Sequence, residues 1–303
     1  MLLLHVLDGG PVTPATLWHR WSVEPAVLAL VVASGALYAI GIRRLWRRAG
    51  DGHVVPALGV TAFYAGLVAL LVALCSPLDA LADTLFSAHM VQHVILIAVT
   101  PPLLVLGIPA VPLLWGLPES ARLAVGRGWK ASRLGTVGHA LVQPVPALVL
   151  HTLALWLWHL PGPYADALAN PAVHALEHGC FFITALLVWW VAIRPVGRRS
   201  TDTAWALFAL IGTFVSSGAL GAILTFSDTP WYYAQSVGAG AWGFTALQDQ
   251  QLAGLIMWIP AGFAYIAGIL AIAARALQDP APVGIAPTTG PDGDGGSRLY
   301  ALH

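Results

Sequence analysis

The chain has 303 residues, 58% of them hydrophobic and only 9% charged, with a mean hydropathy of +0.76 and no net formal charge. This composition excludes an ordinary water-soluble domain and reads as a membrane protein of several spanning helices, with no length left over that demands a second domain. Neutrality overall says nothing about partners, whereas the positions of the few charges say a good deal.

The opening "MLLLHVLDGGP" lacks a basic n-region and has a very short apolar core, so it is not expected to act as a cleaved signal peptide. Apolar runs able to cross a bilayer, which takes about 20 residues at 1.5 Å rise each, fall at 25–42, 54–74, 86–107, 140–159, 172–193, 203–226 and 250–274. In lipid every backbone amide must find its partner inside the segment, which favours helices over strands for uninterrupted runs of this kind. The expected fold is therefore all-α, a bundle of seven transmembrane helices over residues 1–276. In the third run Pro101 and Pro102 are expected to kink or end the helix, with "PAVPLLWGLP" following as an interfacial piece. Residues 277–303, rich in proline, glycine and aspartate, read as a disordered cytoplasmic tail.

Arginine and lysine set the orientation. Arg43, Arg44, Arg47 and Arg48 follow the first run, Arg122, Arg127, Lys130 and Arg133 the third, Arg194, Arg198 and Arg199 the fifth, and Arg275 and Arg298 the seventh. Only Arg20 lies on the other side, so the positive-inside rule places the N-terminus outside and the C-terminus in the cytoplasm.

With that orientation, five of the eleven histidines gather at the outer level. "HMVQH" puts His89 and His93 at the start of the third helix, His159 closes the fourth, and "HALEH" puts His174 and His178 at the start of the fifth. Residues i and i+4 share a helix face, so each pair can aim two imidazoles at one point. Histidine is the commonest nitrogen donor for copper, zinc, iron and nickel. A single histidine at a helix end is usually hydrated or bonded to a carbonyl, but two HxxxH pairs at one level point to a metal or haem site. Asp249, at the outer end of the seventh helix, is a carboxylate where ionisable groups are rare, and is expected to ligate or to orient a ligating imidazole. Glu177 ranks below it because it points about 100° around the helix from His178. Met90, Met257, Cys75 and Cys180 are softer donors that would matter for Cu(I).

Other polar and aromatic residues fit simpler roles. His151 is expected to bond a neighbouring helix, and His5, His19, His53, His139 and His303 to be solvated or interfacial. Trp156, Trp158, Trp231, Tyr232 and Tyr233 read as an outer aromatic belt, Trp189 and Trp190 as an inner one. Asp79 and Asp83 read as a solvated loop, and the small residues of "GALGAILTF" as a close helix contact. The two cysteines, Cys75 and Cys180, have no CxxC spacing and indicate neither a disulfide framework nor a thiolate zinc site. No nucleophile, base and orienting acid stand in a legible arrangement, so no enzyme is indicated, and the basic clusters are explained by topology rather than by nucleic acid.

The blocks "SPLDALADTLFSAHMVQHVILIAVTPPLLVLGIP", "WLWHLPGPYADAL", "HALEHGCFF" and "DQQLAGLIMWIP", in this order on a seven-span chain, resemble the CtaG family of bacterial cytochrome c oxidase assembly factors over about residues 60–275. The resemblance implies a multi-pass protein of the bacterial cytoplasmic membrane that helps assemble a haem-copper oxidase, in the manner of a copper metallochaperone. It places the family's histidine blocks on His89, His93, His159, His174 and His178 and its acidic residue on Asp249. Its partners would then be an oxidase subunit, copper ion and the lipid bilayer. Two other readings of the same residues are a haem-binding protein with histidine axial ligands and a copper transporter whose entrance is the histidine cluster.

Overall fold

The computed structural model describes residues 12–194, 200–232 and 235–278. Thirteen α-helices run in order among the described residues: α1 Pro25–Ala49, α2 Ala57–Cys75, α3 Pro77–Ala82, α4 Phe86–Val94, α5 Thr100–Leu106, α6 Ala110–Gly116, α7 Glu119–Ala131, α8 Leu134–Leu141, α9 Pro144–Trp158, α10 Pro161–Ala169, α11 Pro171–Ile193, α12 Ser200–Thr225 and α13 Ala246–Gln278. Short 3₁₀ turns occupy Leu17–His19 and Gln235–Trp242. There is no strand among the described residues, in keeping with the all-α expectation.

Among the described residues six stretches are long and apolar enough to cross a bilayer: Pro25–Ala49, Ala57–Cys75, Phe86–Leu106, Pro171–Ile193, Asp202–Thr225 and Ala246–Gln278. A seventh is a pair bent by 74°, Gly135–Leu141 with Pro144–Trp158. The single helix expected at 140–159 is thus broken at Pro144, whose missing N–H cannot continue the ladder and which starts α9 as its first residue. The protein is a multi-pass membrane protein, with side chains such as Leu30, Val32, Ile183, Val215, Phe263 and Leu270 exposed around the bundle, where lipid tails solvate them.

Pro101 and Pro102 do not end the third span, which runs from Phe86 to Leu106 and carries its irregular turn just before them. Ile95–Val99 forms a turn of π-helix, closed by the Thr100 N–H on the Ile95 carbonyl, and α5 follows directly. Pro101 has no amide hydrogen to offer Ile97. The Trp189 indole N–H supplies the missing donor, reaching the Ile97 carbonyl at 3.0 Å. Trp189 is therefore a buried core residue, 4% exposed, and not the belt tryptophan its position suggested.

Helix association in lipid depends on close packing more than on hydrophobic transfer. The α12–α13 contact shows this: a Cβ on Gly254 would lie 2.5 Å from the Gly221 carbonyl oxygen, so the "GALGAILTF" segment does carry a tight crossing. Segment α6 packs across α1, where a Cβ on Gly41 would meet the Pro112 carbonyl at 1.8 Å, and Arg44 donates to the carbonyls of Trp115, Gly116 and Leu117 at the end of α6. The central apolar cluster joins Ile97, Leu155, Phe181, Trp189, Leu210 and Tyr265 from five helical segments, and it underlies the histidine end of the bundle.

Helix α13 continues through Gln278, two residues into the segment expected as tail; residues 279–303 lie outside the described residues. So do His5, His303, Arg198, Arg199, Arg298 and Tyr233. His19, His53 and His139 are exposed, as expected.

Candidate metal centre

Helix α4 carries the first histidine pair, and its position is fixed from far away in sequence. Its N-cap residue, Leu85, has no side chain able to cap, so the first amides of α4 need a partner from elsewhere. Asp249 provides it: the N–H of Phe86 donates to Oδ2 at 2.8 Å, and the N–H and hydroxyl of Ser87 donate to Oδ1 at 3.0 and 2.5 Å. A carboxylate at a helix N-terminus also complements the helix dipole. One turn further on, Gln92 is locked by its amide, which donates to the Ala73 carbonyl and to Asp79 at 2.8 Å each. Asp79 also accepts from the Ser22 hydroxyl at 2.7 Å, so it is a tether between segments, where a solvated loop had been expected. Asp83 is exposed.

His89 and His93 leave α4 on one face, with ring centroids 4.2 Å apart. Helix α11 presents the facing set. Asn170 caps it through Ala172 N–H, and His174, Glu177 and His178 stand at i, i+3 and i+4 on the side turned to α4. The His174 and His178 rings are 4.2 Å apart, His89 stacks on His174 at 5.3 Å, and His93 meets His178 edge-on at 5.2 Å. His159, the C-cap of α9, stands 6.1 Å from His93. The five histidines expected to converge do converge, ring against ring.

Two sets of ligand atoms lie within 4.8 Å of one another: His89, His174 and His178, and His89, His93 and Glu177. Neither ring nitrogen of His89 or of His93 makes a hydrogen bond, nor does Nε2 of His159, His174 or His178, nor either oxygen of Glu177. Buried polar groups without partners cost about 1–3 kcal/mol each, and such a concentration of donor atoms with lone pairs suits a cation. His159 has its Nδ1 2.7 Å from the Leu155 carbonyl, which can only accept, so Nδ1 carries the proton and Nε2 is free to ligate. This is the outer hydrogen bond that metal-binding histidines commonly make. Tyr232 donates its hydroxyl to the His159 carbonyl and fixes the backbone there.

Several assignments shift. Asp249 sits in neither ligand set; its oxygens hold the amides and hydroxyl at the start of α4, and it positions the helix that bears His89 and His93. Glu177, which its 100° angle to His178 puts second to Asp249, is fully buried and belongs to a ligand set with His89 and His93 of the facing helix. Tyr232 is 4% exposed and packs on Phe86 and Tyr164, so it is not a belt residue, while Trp156 and Trp231 are exposed. Tyr164, which no local pattern singles out, buries an unbonded hydroxyl with its ring 5.5 Å from His89. Among the softer donors, Met90 is packed in an apolar cluster with Phe86, Tyr164 and Leu224, and Cys75 and Cys180 are free thiols outside both sets. Met257 lines a cavity of about 10 Å³ together with His93 and His159, at the inner side of the cluster. His151 bonds Thr184 of α11 at 2.8 Å, the helix-to-helix role expected of it.

Fold and site together define a polytopic helical membrane protein with a buried histidine and carboxylate cluster at one end of its bundle. The chain belongs to the family of cytochrome c oxidase caa3 assembly factors (Caa3_CtaG), whose model matches residues 36–279. It is similar to the uncharacterized protein Mb0105 of Mycobacterium bovis and to MT0111 of Mycobacterium tuberculosis, each 28% identical over 256 residues, covering 82% of this chain and 38% of the relative. The uncharacterized protein ML1998 of Mycobacterium leprae is 27% identical over 276 residues, covering 86% of this chain and 40% of the relative. The chain thus spans about two fifths of the length of the curated relatives it matches. No solved structure matches it.

Proposed function

We propose that this protein binds copper at the cluster of His89, His93, His159, His174, Glu177 and His178 and hands it to a cytochrome c oxidase subunit during assembly of the enzyme. The observation that carries the reading is the convergence of five imidazoles and a carboxylate whose buried ligand atoms have no hydrogen-bond partners. Family membership supplies the oxidase as client. Imidazole suits copper, zinc, iron and nickel alike, so the choice of copper rests on the oxidase, whose centres need it. The cluster contains no thiolate, which favours release by ligand exchange over permanent storage.

The distribution of arginine and lysine supports a cluster that faces the extracytoplasmic side of a bacterial cytoplasmic membrane. A docked oxidase subunit would offer its own ligands there, and copper would pass from one set to the other with its oxidation state unchanged. The 4.2 Å spacing of the rings within each i, i+4 pair is too close for axial ligands on opposite faces of one planar macrocycle, which supports a small ion shared by a pair.

The test is replacement of the chromosomal copy by His89→Ala/His93→Ala. The expected result is membranes with normal levels of this protein and an oxidase deficient in copper and activity, restored in part by added copper. Normal oxidase copper in that strain would overturn the reading.

A further inference from the structure

The two ligand sets share one residue, His89, and differ in how deeply they lie. His174 and His178 are half-buried, whereas His89, His93 and Glu177 are at most 2% exposed. Bonds from a first-row ion to nitrogen or oxygen run about 2.0–2.2 Å, so the donors on one ion lie within about 4.4 Å of one another. Ligand atoms within 4.8 Å of one another come close to that spacing, and the five side chains do not reach it as one group: His93 and Glu177 fall in one set, His174 and His178 in the other. His89 belongs to both sets: neither of its ring nitrogens has a hydrogen-bond partner, so either can carry the ring's single proton while the other ligates, and its ring stacks on His174 at 5.3 Å and meets His93 T-shaped at 4.2 Å.

We propose that the cluster is two adjoining copper positions used by one ion: a rim position made by His89, His174 and His178, and a buried position made by His89, His93 and Glu177. The inference rests on the copper reading above and names how that site works. An arriving ion binds at the rim. It then exchanges His174 and His178 for His93 and Glu177 while the same His89 nitrogen stays bound and the other keeps the ring's proton, so the ion is never stripped of all protein ligands. No electron moves, and the Glu177 carboxylate offsets the cation's charge where burial is greatest. Release to a partner reverses the step, which makes the rim position the point of hand-over. Because His89 belongs to both positions, only one ion is held at a time.

The experiment uses the purified full chain in detergent, loaded with Cu(II), with copper content measured after gel filtration and release followed on adding excess EDTA. Wild type should hold one equivalent and release it slowly. Glu177→Gln/His93→Ala should still hold one equivalent, now at the rim only, and release it faster by about tenfold or more, the scale on which changes around a metal alter its retention. His174→Ala/His178→Ala should also hold one equivalent and release it no faster than wild type, but take it up more slowly. Loss of copper from either paired variant means a single site needing all five groups, and two equivalents in wild type mean independent sites; each overturns the proposal. A wild-type protein that binds no copper sinks the copper reading itself. Glu177→Gln alone, nearly identical in shape, guards against misfolding: infrared difference spectra of copper loading should show a carboxylate band that shifts in wild type and is missing in this variant, and identical difference spectra would count against the buried position.

Discussion

Replacing Asp249 by alanine removes at once the three hydrogen bonds that close the start of α4. Hydrogen bonds to a charged acceptor contribute about 1.5–3 kcal/mol each, and the two stranded amides are buried, but losses within one network are not additive. The expected cost is therefore about 3–5 kcal/mol, at the upper end for a single substitution. Asp249→Asn keeps one acceptor oxygen for a helix amide and should cost about 1–2 kcal/mol, the usual scale of an N-cap. Thermal unfolding in detergent, followed by circular dichroism, reads both, with copper content measured on the same samples. The alanine variant should melt well below wild type and the asparagine variant between the two. Both should retain measurable copper, because the imidazoles and Glu177 remain. An alanine variant that melts like wild type yet has lost its copper would refute the positioning role and make Asp249 a ligand.

Three further outcomes follow from contacts elsewhere in the bundle. Trp189→Phe keeps the ring but leaves the Ile97 carbonyl without its donor at the π-turn, and should lower stability by about 1–3 kcal/mol in a thermal melt with copper content unchanged. Gly254→Ala should weaken the α12–α13 crossing by about 1–3 kcal/mol, since its Cβ would fall 2.5 Å from the Gly221 oxygen, and the yield of folded protein from membranes should fall accordingly. Tyr232→Phe removes the bond to the His159 carbonyl and should weaken copper binding by about tenfold in a competition titration while leaving stoichiometry intact.

The spans, the helical class and the gathering of five histidines were legible because each depends on a local pattern: run length, proline position, and i, i+4 spacing within "HMVQH" and "HALEH". Glu177 shares the His174 face of its helix at i+3, but its partners His89 and His93 come from another helix, which no spacing within "HALEH" reveals. The parts that the sequence hid are those decided between distant segments. Asp249 reaches α4 across more than 160 residues, and no local spacing distinguishes a carboxylate that caps a helix from one that binds a metal. Trp189 and Tyr232 sit near span ends, where tryptophan and tyrosine usually meet headgroups, yet both turn inward to donate to backbone carbonyls, Trp189 to Ile97 and Tyr232 to His159. Tyr164 lies in a short helix whose burial comes from Phe86, His89 and Tyr232, none of them near it in sequence.

Whether the histidine cluster holds copper is read from the metal content of the purified protein, wild type against His89→Ala/His93→Ala, after equal exposure to copper. His89 lies in both ligand sets and His93 in one, so the account predicts one equivalent of copper in wild type and almost none in the variant. Equal copper in the two proteins, or none in wild type, would contradict it.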